Sequence, residues 1–214
     1  KRWQLADLFS SSSEKMAQVV SAIEALASGS DVKQNVRKTA AKCIASIYRG
    51  GEEVAHTYAT KLVKVIEEEE GKAHPTHSPA SVLALLCLAE IGRTLDLSSS
   101  EGKSVDSTIL KCLHSTSEDE RGTASYALGC AAIASPDFFL PKIFKHMESH
   151  EKLRYLLLLS LKEVVTSAQG DSPSKLTEDH LGRIEEALFR FCETDEEALR
   201  IMCAECLGHM AVFR

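Results

Sequence analysis

The sequence predicts an all-α fold of about five stacked antiparallel helix pairs, and three observations carry that prediction. Of its 214 residues 44% are hydrophobic but only 6% aromatic, and Ala, Leu, Ser, Glu and Lys outnumber the β-branched and aromatic residues that strands favour. With 5 Pro and 11 Gly, the chain has few helix breakers and ample apolar material for a core. Finally, a run rich in small apolar residues recurs five times: AAKCIASI at 40–47, LLCLAEIG at 85–92, SYALGCAA at 125–132, LLSLKEVV at 158–165 and AECLGHM at 204–210.

Each of these runs reads as the second, inner helix of a pair. Aligned on Ile44, Leu88, Leu128, Leu161 and Leu207, they are spaced by 44, 40, 33 and 46 residues, near the period of HEAT or armadillo repeats. The architecture expected is therefore a HEAT-type α-α superhelix, a solenoid. Small residues at Ala40, Ala41, Ala89, Gly129, Ala131 and Gly208 fit a helix flanked on both sides, where backbones approach closely. Ahead of each inner run lies an amphipathic partner, at 14–27, 54–69, 104–114, 138–149 and 177–192. In the first, Met16, Val19, Val20, Ile23 and Leu26 recur at helical spacing, and in the last, Leu181, Ile184, Leu188 and Phe191; these are the faces expected to turn inward. Caps are expected from Ser12 or Ser13, from Asp31 and from Thr177. Interruptions at 50–51, 71–79, 98–102, 135–136 and 170–174 divide the chain into approximate repeats 12–48, 53–93, 103–134, 137–168 and 177–213, one continuous segment. The carboxylate run 67–70 ends its helix against the dipole, so fraying is expected there. Both ends read as continuing into a longer chain: the first residue is Lys1, and 210–214 stops inside an apolar helical pattern.

Composition narrows the function. A formal charge of −6 and a pI near 5.8 disfavour a surface that tracks phosphates, so no nucleic-acid partner is expected. No apolar run approaches the roughly 18 residues of a membrane span. Seven Cys lie inside helical patterns and the single Asn, Asn35, heads no glycosylation sequon, which fits the cytosol or nucleus.

Motifs that would carry chemistry are incomplete. Cys203 and Cys206 have the spacing of half a zinc or redox site but sit mid-helix with no second pair. His146 and His150 lie four apart without the glutamate of a zinc hydrolase, and read as a solvated helix end. His74 and His77 read as a loop without further ligands. Gly102-Lys103-Ser104 resembles the tail of a P-loop, yet Leu97 stands where its first glycine belongs. With no nucleophile elbow or dinucleotide fingerprint either, the chain reads as a scaffold that holds protein partners, with no catalytic activity, small-molecule substrate, metal or cofactor expected.

Four strings resemble, in order, the cullin-associated and neddylation-dissociated (CAND) family: LALLCLAEIG at 83–92 followed by DLS at 96–98, ASYALG at 124–129, RYLLLLSLKE at 154–163 and AECLG at 204–208. The resemblance extends weakly to AKCIA at 41–45 and covers the chain from about residue 34; residues 1–31 match by helix pattern alone. Members of that family are long HEAT solenoids that wrap a cullin and its RING-box subunit. The resemblance implies an internal piece from the second half of such a solenoid. Binding of un-neddylated cullin by the family drives exchange of substrate-receptor modules, and the hairpin that competes with the adaptor lies beyond this segment, so the segment is expected to lack complete exchange activity. The matching strings are mostly core, so candidate contacts come from physical reasoning. They are the charged residues on or entering the inner helices, which line the concave face: Lys33, Arg37, Glu90, Arg93, Arg121, Lys152, Arg154, Glu197 and Arg200.

Two other readings compete. An armadillo carrier of basic peptides needs repeated inner-helix Trp and Asn, and the chain has one of each, Trp3 and Asn35. HEAT or armadillo scaffolds for other partners remain open. A helical-repeat DNA glycosylase would need a basic groove, against which the net charge argues.

Overall fold

Amphipathic and uniformly apolar helices alternate along the chain in the computed structural model, which describes residues 13–70, 78–98, 105–168 and 175–213. The outer helices are α1 (Ser13–Ala27), α3 (Glu52–Glu70), α5 (Val105–Cys112), α7 (Pro136–Ser149) and α9 (Glu178–Cys192); the inner helices are α2 (Gln34–Tyr48), α4 (Pro79–Gly92), α6 (Glu118–Ala134), α8 (Arg154–Ser167) and α10 (Glu197–Phe213). A 3-10 turn, Glu151–Leu153, leads into α8. Among the described residues there is no strand. The sequence motifs at His74, His77, Gly102, Lys103, Ser12 and Trp3 lie outside the described residues.

The outer helices bury one stripe. In α9 Leu181, Ile184, Leu188 and Phe191 are buried while Gly182, Glu186, Phe189 and Arg190 face outward. In α1 the stripe runs through Met16, Val20, Ile23 and Ala27; Leu26, expected inside, is 78% exposed. The helical period carries the buried stripe from Ile23 to Ala27 and leaves Leu26 about 100° off it. The inner helices pack side by side, α2 on α4, α4 on α6, α6 on α8 and α8 on α10. That arrangement is a HEAT-type solenoid of five antiparallel helix pairs. α4 has neighbours on three sides, α2, α3 and α6, and every residue from Ser81 to Gly92 is buried. Burial of this kind stabilises the layer by roughly 2–3 kcal/mol for each fully enclosed Leu, such as Leu85 and Leu88.

Glycine sets the spacing between α6 and α8. A Cβ placed on Gly129 would lie 2.5 Å from the Ser160 carbonyl oxygen and 2.8 Å from the Glu163 Cβ. The same two helices exchange hydroxyl bonds: Ser160 Oγ donates to Ser125 O (2.8 Å), and Ser125 Oγ donates to Leu156 O. Gly208, one residue after its alignment position just as Gly129 is, meets nothing within 4 Å.

Caps also tie pairs together. Thr177 Oγ1 accepts from the His180 N–H (3.3 Å) while the Thr177 N–H donates to His180 Nδ1 (3.1 Å). Nε2 of the neutral ring then carries the proton and donates to Asp137 Oδ1 at 3.0 Å in the first turn of α7. Asp31 does not cap the first inner helix. The helix begins later, and Lys33 occupies the N-cap with no side-chain bond. Nor does the carboxylate run leave α3 short, because the helix continues through Glu70, which pairs with Lys111 of the next outer helix.

Candidate interaction surface

All five inner helices run in one direction, so their N-termini lie along one rim, next to the turns that lead in from the outer helices. Arginine recurs there in a fixed register, seven residues before the alignment position in four pairs: Arg37, Arg121, Arg154 and Arg200. Each guanidinium reaches back to carbonyls of the preceding turn or helix end. Arg37 Nε and Nη2 donate to Ala27 O (3.3 Å) and Gly29 O (2.8 Å); Arg121 Nη1 donates to Ser115 O (2.9 Å) and Thr116 O (3.1 Å). Arg154 Nε donates to Met147 O (3.2 Å), and Arg200 Nη1 to Thr194 O and Asp195 O, both at 2.9 Å. Helix ends leave such carbonyls without intrahelical partners. In four of the five pairs such a side chain therefore staples the inner helix to the turn or helix end that precedes it. Ser81 holds the equivalent position in α4 and donates instead to Glu120 at the start of α6.

The face opposite the outer layer closes over α4 and α6. Gln34 Nε2 of α2 donates to Thr123 Oγ1 of α6 at 3.3 Å, and Lys38 Nζ stands 5.1 Å from the centre of the Tyr126 ring. Arg93, the C-cap of α4, reaches Glu163 of α8 across α6. With neighbouring helix axes about 8–10 Å apart, such second-neighbour contacts require the inner face to curve inward. At the focus of that curve Tyr126 OH donates to Glu90 Oε1 (2.8 Å) and accepts from Arg93 Nη2 (2.9 Å), while Arg93 Nε lies 3.7 Å from Glu90 Oε2.

The nine charged candidates thus divide. Arg37, Arg121, Arg154 and Arg200 engage carbonyls of the preceding turn or helix end, and Glu90, which is buried, and Arg93, which is half-buried, belong to the inner-face network. Lys33, Lys152 and Glu197 are exposed, and their side chains make no hydrogen bond or ion pair among the described residues. All three sit on the rim where the inner helices begin. The sequence reading missed the arginine staple, although its constant seven-residue offset was visible. It also missed Lys38, Tyr126 and Glu163.

The cysteines behave as small apolar residues. Cys87, Cys112, Cys130, Cys203 and Cys206 are buried, Cys192 is half-buried and Cys43 is exposed. Burial pushes the thiols of Cys87, Cys112, Cys203 and Cys206 up to about 12, and that of Cys130 up as well. In a native labelling experiment with an aromatic disulfide at pH 8, Cys43 should react first and Cys192 next, with the other five released only on unfolding. Rapid native labelling of Cys203 or Cys206 would contradict this packing. Among the described residues no group of three or more His, Cys, Asp or Glu side chains is placed to hold a metal ion. Among them, too, no helix is long and apolar enough to cross a membrane.

No family model matches the chain. It is 38% identical over 176 residues to cullin-associated NEDD8-dissociated protein 1 of Drosophila melanogaster, covering 81% of this chain and 13% of that protein. The protein of the same name in Arabidopsis thaliana is 34% identical over 173 residues, 80% of this chain and 14% of that one. Cullin-associated NEDD8-dissociated protein 2 of Mus musculus is 31% identical over 182 residues, 85% of this chain and 14% of that one. The chain spans about one seventh of the length of these relatives. Among solved structures, a designed armadillo repeat protein in complex with the peptide (KR)4 superposes with a TM-score of 0.45 at 16% identity, covering 96% of this chain and 90% of that one.

Proposed function

The chain belongs to the cullin-associated and NEDD8-dissociated family, and from that membership we propose that it serves as a scaffold segment through which a longer solenoid holds a cullin and its RING-box subunit when the cullin carries no NEDD8. On this reading the whole protein promotes exchange of substrate-receptor modules, and this segment contributes contact surface to that activity. The supporting observation is the identity to three relatives named for cullin association and NEDD8 dissociation, over four fifths of the chain. A layered helical scaffold with its charged rim outward suits the role, because solenoids bind extended partners along a continuous surface.

The rim supplies the segment-specific test. Reversing the three uncommitted charges together, as Lys33→Glu, Lys152→Glu and Glu197→Lys, should weaken binding of an unmodified cullin and RING-box core at least fivefold in the protein that carries this segment, with the melting temperature unchanged. Rim charges of this kind act on association rate and its salt dependence, so the loss should shrink at high ionic strength. Unchanged affinity would remove the rim from the interface.

A further inference from the structure

The first inner helix differs from the rest of the chain in charge. Between residues 33 and 49 stand five cations, Lys33, Arg37, Lys38, Lys42 and Arg49, and no carboxylate, although the chain as a whole carries a formal charge of −6. Arg37 is committed to the carbonyls of the preceding turn. Lys38, Lys42 and Arg49 follow one another at intervals of four and seven residues, which the helical period places within about 40° of one another. The buried stripe of α2, through Ala41, Ile44 and Ile47, faces another way.

Lys38 fixes the direction of the cationic stripe. Its ammonium stands over the Tyr126 ring of α6, so the three cations line the inner face. The Lys42 and Arg49 side chains are exposed and make no hydrogen bond or ion pair among the described residues. On later inner helices cations stand beside carboxylates that neutralise them, Arg93 with Glu90 and Glu163, and Lys162 with Glu205. Beside Arg49 the surface opens into a depression of about 310 Å³ whose apolar lining is Ala45, Ile91 and Leu95. Glu52 also lines it, and Lys175 adds a second cation. The Asp96 carboxylate there already accepts from the Ser135 hydroxyl and the Ser98 N–H.

We propose that the inner face of α2 is a docking surface for an acidic segment of the held protein, whose carboxylates meet Lys38, Lys42 and Arg49 while an apolar side chain enters the depression beside Arg49. The stripe runs for about 16 Å along α2, so a helix of about three turns with carboxylates on one face covers it. Charge complementarity selects this occupant, and Lys38, already held over Tyr126, loses less freedom on pairing than a free lysine would. A nucleic acid would leave the apolar lining unfilled and meet the net negative charge of the remaining chain. The proposal deepens the scaffold reading and rests on it for the source of the segment, the bound cullin core.

The test has two arms. In the first, a fluorescein-labelled amphipathic helical peptide of Glu, Ala and Leu, its counterpart with Gln for every Glu, and single-stranded poly(dT) are titrated onto the full chain by fluorescence anisotropy. At about 0.1 M salt the net charge is screened beyond about 10 Å and local contacts decide. The Glu peptide should bind at least fivefold more tightly than either other probe. Lys42→Glu/Arg49→Glu should abolish that preference, whereas Lys64→Glu/Lys145→Glu, exposed charges of α3 and α7, should leave it within twofold. Circular dichroism checks that each variant is folded. No preference for the Glu peptide, equal loss in both variants, or equally tight poly(dT) would overturn the docking surface whatever the cullin does. In the second arm, the protein that carries this segment should bind an unmodified cullin and RING-box core at least tenfold more weakly with Lys42→Glu/Arg49→Glu, and near the parent affinity with Lys42→Arg/Arg49→Lys. A core bound equally well by the charge-reversed variant would overturn the cullin core as the source of the acidic segment. A parent that holds no core, beside a positive peptide arm, would remove the cullin reading and leave the docking surface supported.

Discussion

Gly129→Ala should lower the free energy of unfolding by about 2 kcal/mol in urea titration, although alanine is the better helix former by about 1 kcal/mol. The sign follows from what the added methyl meets. Its nearest neighbour is a backbone carbonyl, that of Ser160, and a main chain held by the Ser125 and Ser160 hydroxyl bonds cannot step aside. α6 and α8 must separate, which forfeits packing along their whole contact. Gly208→Ala is the internal control. At the equivalent position of α10 the methyl meets nothing within 4 Å, so that variant should gain stability by up to about 1 kcal/mol. Equal effects at both glycines would show that propensity, and not the approach of the helices, governs the position.

The second large effect is expected at the inner-face network. Arg93→Ala removes the partner shared by Glu90, Glu163 and Tyr126. The Glu90 side chain is only 8% exposed, so its charge is left buried and uncompensated, a situation that costs roughly 3 kcal/mol. Glu90→Gln in the Arg93→Ala background should recover part of that loss, because neutralising the orphaned carboxylate removes the penalty; the two substitutions are therefore non-additive. A loss below about 1 kcal/mol, or simple additivity, would mean that water reaches Glu90 and that the inner face is more open than described.

The repeat architecture was legible because each pair repeats the same instruction: a small-residue apolar helix after an amphipathic one. Five copies average out local ambiguity, so the partner helices expected at 14–27, 54–69 and 177–192 lie within two residues of α1, α3 and α9 at each end. Boundaries that rest on a single side chain were less legible. Asp31 is a good capping residue, but the chain turns for two more residues before the helix starts at Gln34.

Candidate contacts were the least legible, for a geometric reason. Sequence places Arg37, Arg121, Arg154 and Arg200 at inner-helix starts, yet whether a guanidinium faces a partner or its own turn depends on which carbonyls lie within reach. Glu90 and Arg93 read as inner-face charges, and they are, but inward curvature brings Tyr126 and Glu163 over them from helices one and two layers away. Curvature is set by side-chain volumes summed over many contacts and leaves no local string. The ring contacts among three histidines have the same origin: the four-residue spacing of His146 and His150 is local, whereas His114 meets His150 only through the stacking of successive helix pairs.

The central claim, a cullin-holding scaffold, is tested most directly by the affinity of the protein that carries this segment for one cullin and RING-box core prepared with and without NEDD8, measured at a single ionic strength. Binding to the unmodified core, weakened at least tenfold by the modification, is the result predicted; equal affinity for both forms, or for neither, would contradict it.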